Sequence, residues 1–166
     1  ILPERGWLDL DVEETILGSK LEVAVDNRSE RTLHNASLVL CLHFTDMHLR
    51  SHQPGTAGNV ARLSRDMPAA LDRLADQINE LAPDAVVMTG DLLDVPDEVI
   101  AGGSPDDRPV ETWVDEAVAD FALVKDWFEA TGVDYVVVPG NHDHEGAFTQ
   151  VFGDTCRTKD VAGFRF

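Results

Sequence analysis

The sequence is poor in cysteine and in lysine: Cys41 and Cys156 are the only thiols, and Lys20, Lys125 and Lys159 the only lysines. Two thiols are too few for a disulfide framework or a thiolate zinc site. Positive charge of any kind is scarce, with 13 Lys+Arg against 31 Asp+Glu and a formal charge of −18. So acidic a surface repels phosphate backbones, which argues against nucleic acid as a partner. No apolar run approaches the roughly 18 residues that span a bilayer. There is no initiator Met and no basic-then-apolar leader before Ile1-Leu2-Pro3. Gly163-Phe164-Arg165-Phe166 reads as the start of a strand, so both ends read as cut. Oligomeric state and compartment are not legible.

What is present is a globular composition. Of the 166 residues, 43% are hydrophobic, and the acid is spread along the chain instead of gathered in a tail. Asp outnumbers Glu, and Arg outnumbers Lys. An Asp-rich, Lys-poor surface on a folded chain suggests a halophilic protein, because salt shortens the reach of self-repulsion.

Two regions follow from the patterning. In residues 1–37, Leu8, Leu10 and Val12 alternate with Asp9 and Asp11, and Leu21, Val23 and Val25 repeat the pattern. This predicts a short antiparallel β element, either an extension or the tail of a preceding domain. From residue 38 the pattern changes. Leu38–Leu42, Ala85–Met88 and Tyr135–Val138 are continuous apolar runs, as expected of strands buried on both faces. Between them, Leu71, Leu74, Ile78 and Leu81 predict a helix over 67–82, with Asp66 as N-cap and Pro68 in the first turn. Val114, Val118, Phe121, Val124 and Phe128 predict another over 111–130, stopped by Gly132. Strand, helix, strand, helix, strand predicts an α/β fold with parallel βαβ units.

In parallel sheets the chemistry gathers beyond the carboxyl ends of the strands. Those ends read Thr45-Asp46-Met47-His48, Gly90-Asp91-Leu92-Leu93-Asp94 and Gly140-Asn141-His142-Asp143. Carboxylate, imidazole and amide oxygen together suit a divalent first-row metal. His43 lies within an apolar strand and reads as a hydrogen-bonded structural residue. His52 and His144 fall near the motifs but outside them.

The three blocks, Asp-x-His, Gly-Asp-x-x-Asp and Gly-Asn-His-Asp, each after a strand, resemble the calcineurin-like metallophosphoesterases. The resemblance covers residues 38–166, the first half of the usual catalytic domain, an αββα sandwich. It implies two divalent metal ions (Mn, Fe or Zn) and hydrolysis of phosphomonoesters or phosphodiesters of small molecules by a metal-bridging hydroxide. Carried over, Asp46 and His48 bind one metal, Asp91 bridges both and Asn141 binds the second. His142 stabilises the phosphoryl oxygens or protonates the leaving group, and Asp94 orients it. Asp143 supports its loop. The Arg that often follows the Asp94 position is here Val95. The family's later histidines are absent, since none follows His144. That implies a truncated domain with part of its sheet face exposed, and it keeps two alternatives in view: a catalytically silent binding module, and a repair-type nuclease of the same superfamily.

Overall fold

The computed structural model describes residues 22–23, 39–55, 60–154, 158–161 and 163–166. In chain order these hold β1 (Glu22–Val23), β2 (Cys41–Phe44), a 3-10 turn (Val60–Arg62), α1 (Met67–Leu81), β3 (Ala85–Thr89), α2 (Asp97–Ile100), α3 (Val110–Thr131), β4 (Asp134–Val138), α4 (Glu145–Phe152), β5 (Asp160–Val161) and β6 (Phe164–Arg165). The main sheet has the order β1-β2-β3-β4. β2, β3 and β4 run parallel, with Cys41 opposite Ala85 and Ala85 opposite Asp134. α1 and α3 are the crossovers that parallel pairing demands. The chain is therefore α/β with parallel βαβ units, and β5 and β6 add a small antiparallel pair. Of the antiparallel element expected before residue 38, β1 is described, and it pairs antiparallel with β2 on the same sheet. The rest of that element lies outside the described residues.

Some boundaries move, for identifiable reasons. The first parallel strand is expected at Leu38–Leu42 and is observed at Cys41–Phe44. Leu40 N–H donates instead to the Asp84 carboxylate (2.9 Å), and its carbonyl accepts from Asp84 N–H (2.8 Å), which takes it out of the ladder. Asp66 stands at the N-cap position of α1 but makes no capping bond, because its own backbone (φ −92°, ψ −7°) is already helical. α1 ends at Ala82, whose left-handed backbone (φ 46°) sends its N–H to Ile78 O, and Pro83 follows. In α3 the buried stripe is Trp113, Ala117, Asp120, Phe121, Val124 and Phe128. Val114 and Val118, expected on it, are half-buried. The aromatics at 113, 121 and 128 have the most area to hide and set the helix rotation.

Leu42, Phe44, Val86 and Met88 face the helices and join Leu71, Ile78, Phe121, Val124 and Phe128 in one core. Phe128 stacks on Tyr135 (4.7 Å between centroids), while Phe148 and Phe152 of α4 pack edge-on against Phe121. Each fully buried side chain of this size contributes about 1.5–3 kcal/mol. Burial on both faces, expected of all three strands, is not observed. Only β3 approaches it; Cys41 and His43 on β2 and all of Tyr135–Val138 on β4 are half-buried. The helices cover one face, and the described residues cover the other only in part. There His43 Nε2 lies 2.7 Å from Thr89 Oγ1, the hydrogen-bonded role expected of it. No helix among the described residues is long and apolar enough to cross a membrane.

Candidate metal centre

The three loops after β2, β3 and β4 are laced together as a continuation of the sheet. Asp46 N–H donates to Gly90 O (3.2 Å), His48 N–H to Asp91 O (2.8 Å) and Leu49 N–H to Leu92 O (2.8 Å). Gly90 N–H donates to Val138 O (3.0 Å) and Val95 N–H to His142 O (3.1 Å). Apolar anchors alternate with polar residues in the first loop: Met47 and Leu49 enter the core, while Asp46 and His48 face the loops. Leu92 and Leu93 are fully buried and seat the second loop.

Three polar residues here have left-handed backbones: Asp46 (φ 57°), His48 (φ 50°) and Asp91 (φ 51°). Strain of this kind, uncommon outside glycine, collects at functional sites. Gly140 shows how tight the packing is. A Cβ on it would lie 2.3 Å from both the amide nitrogen and Oδ1 of Asp91, so only glycine fits.

Asp46, His48 and Asp91 converge, with their candidate ligand atoms within 4.8 Å of one another. His48 Nε2 is 3.9 Å from Asp46 Oδ1 and 3.8 Å from Asp91 Oδ2, too far for hydrogen bonds and suited to sharing a cation. Asp91 Oδ1 accepts from His142 N–H (2.9 Å), which leaves Oδ2 toward His48. His48, Asp94 and His142 form a second group of the same compactness. The rings of His48 and His142 meet edge-on at 5.1 Å. Burial, then the Arg62 charge, pushes the His48 imidazole below its ordinary range, against the pull of Asp91 and Asp94. A neutral imidazole between carboxylates is the form that binds a divalent ion, so this donor set fits one.

The other sequence-derived residues are distributed around this cluster. Asn141 is exposed in the turn after β4, between Gly140 and His142, both of which meet Asp91. Asp143 is buried and accepts from Leu92 N–H (3.1 Å), Leu93 N–H (2.8 Å) and Gly140 N–H (2.8 Å), so it ties the second loop to the third. Burial pushes its carboxyl up to about 6, although the three N–H donors pull the other way and Asp91 adds to the rise. Asp94 departs from its expected task. It makes no hydrogen bond to His142. Its Oδ2 accepts from Arg50 Nη2 (2.9 Å), its Oδ1 accepts from Arg62, and His48 Nδ1 lies 3.6 Å away. Arg62 Nη2 in turn lies 3.3 Å from His142 Nε2, so a guanidinium stands between the two.

Reading the sequence passed over Arg50, Arg62 and Asp120. Arg50 continues the two-residue alternation of Asp46 and His48, a signal that was available. Asp120 is fully buried on the apolar stripe of α3, where a carboxylate is itself a signal. It gathers the N–H groups of Ser51, His52 (2.6 Å) and Gln53 and lies 2.8 Å from His52 Nδ1. His144, near the motifs, caps α4, its Nδ1 accepting from Ala147 N–H (3.1 Å). Arg62 reaches the site only through the tertiary fold.

A sequence model of the family described as calcineurin-like phosphoesterase matches residues 40–165. The matched region holds the three laced loops and the Asp46–His48–Asp91 cluster, and the chain belongs to that family. No curated protein matches the chain.

Proposed function

We propose that this protein hydrolyses phosphate esters of small molecules with two divalent cations, Mn, Fe or Zn. The observation that carries this reading is the convergence of Asp46, His48 and Asp91 on strained backbone at the carboxyl ends of parallel strands. Asp46, His48, Asp91 and Asn141 are the residues that would hold these cations. Bound there, the cations would supply Lewis acidity toward the phosphoryl group and acidify water near them.

The chain's own residues do the rest. His142, half-buried and anchored through its backbone to Asp91, presents its ring to the leaving oxygen as proton donor or to the phosphoryl oxygens as hydrogen-bond donor. Asp94 fixes Arg50 and Arg62 beside His48 and His142. Asp143 holds the second and third loops in register.

The test uses bis-(p-nitrophenyl) phosphate and p-nitrophenyl phosphate with added Mn, Fe or Zn. Wild type is expected to turn over at least one ester, and Asp91→Ala and His142→Ala to lose about 100-fold or more of kcat/KM. Losses under about tenfold overturn the assignment. Elemental analysis after dialysis separates this reading from a metal-free binding module, which retains no stoichiometric metal.

A further inference from the structure

We propose that Arg62 is a substrate-binding residue that docks the phosphoryl oxygens beside the metal cluster; this rests on the phosphoesterase reading above. Two guanidiniums converge on the single carboxylate of Asp94. They are not equivalent. Arg50 has its side chain 7% exposed and is absorbed by protein acceptors: the Asp94 carboxylate and carbonyl, and Pro54 O (3.3 Å). It is a structural cation. Arg62 has its side chain 27% exposed, and its partners among the described residues are Asp94 and the His142 ring. A guanidinium carries five N–H donors in a planar fork. Among the described residues the remaining donors of Arg62 have no acceptor, and the side chain lies at the exposed edge of the site.

Position strengthens the point. Asp94 Oδ1, which accepts from Arg62, is also 3.6 Å from His48 Nδ1. Arg62 therefore stands one side chain away from a proposed ligand and in contact with the proposed proton donor. A cation held by Asp46, His48 and Asp91 would repel this guanidinium. An anion entering between them relieves that repulsion and gains from both charges. A tetrahedral phosphoryl group also matches the fork geometry of arginine, which lysine lacks. The buried Asp94–Arg50 pair holds Arg62 in place for this contact and so positions it. Val95, which follows Asp94, is apolar and fully buried, and it supplies no charge to the site.

The experiment measures competitive inhibition by inorganic phosphate, with KM and kcat for p-nitrophenyl phosphate, in metal-loaded wild type, Arg62→Met and Arg62→Lys. Metal content and far-UV circular dichroism are recorded for each. In Arg62→Met the phosphate Ki and the KM are expected to rise about tenfold or more at unchanged metal content. In Arg62→Lys, which keeps the charge against Asp94 and stands in if the Met variant misfolds, the rise is expected to be about threefold to tenfold. A Ki within twofold of wild type in a folded, metal-loaded variant overturns the inference and leaves the phosphoesterase reading standing. A wild type that neither binds phosphate nor hydrolyses an ester overturns both.

Discussion

At the scale of single residues, Asp143 is a buried carboxylate spent on loop backbone. It spans the second and third loops through Leu92, Leu93 and Gly140, at a depth where ionisation is costly. Its folded pKa, about 6, lies above the ordinary value of 3.8. Between those values the folded chain keeps a proton that the unfolded chain releases. The contribution to stability is full below about pH 4 and is lost as pH rises through about 6. The difference corresponds to about 3 kcal/mol. Asp143→Asn cannot titrate, so urea denaturation of the metal-free protein should show wild type losing stability relative to the variant between about pH 4 and about pH 7. Parallel pH profiles for the two proteins would show that the carboxyl is not coupled to folding.

At the scale of elements, α3 both forms the core and fixes the loop that leaves the first motif. Asp120, within its apolar stripe, takes the backbone N–H groups of Ser51, His52 and Gln53. Removing it leaves those donors facing an apolar helix. Asp120→Ala should cost about 2–4 kcal/mol in chemical denaturation. It should also open residues 51–53 to limited proteolysis under native conditions; an unchanged cleavage pattern would count against the anchoring role.

The same elements show what could be read beforehand. The parallel strands, their crossovers and the meeting of Asp46, His48, Asp91 and His142 follow from apolar runs that end in polar blocks, because strand direction alone brings such ends to one edge. Asp94 was legible as a member of the group but not by its partner. The guanidinium that takes its Oδ1 comes from a 3-10 turn 32 residues earlier in the chain. The start of β2 was missed because Leu40 trades its ladder bonds for Asp84. On α3 the stripe holds at Phe121, Val124 and Phe128, and only its first turns differ, where Trp113 and Ala117 are buried in place of Val114 and Val118.

For the whole molecule, charge is the dominant quantity. At −18 over 166 residues, self-repulsion opposes the compact state. A few carboxylates have nearby compensation, such as Asp94 between Arg50 and Arg62. Among the described residues most others are exposed. Screening acts on these exposed charges far more than on buried pairs. The thermal midpoint should therefore rise steadily from about 0.1 M to about 2 M KCl, by about 5 °C or more. A flat or falling midpoint would show that the acidic surface is not what limits stability.

The left-handed backbones of Asp46, His48 and Asp91 carry a consequence for anyone selecting variants of this protein. Glycine relaxes the backbone at each of these positions and removes a proposed metal donor in the same step. At Asp46, the exposed member of the trio, it also deletes one negative charge from an over-acidic chain. A screen that rewards heat resistance alone will therefore tend to collect glycine here and, on the proposed metal-binding reading, return a protein that no longer holds its cations. Robustness and activity must be selected together.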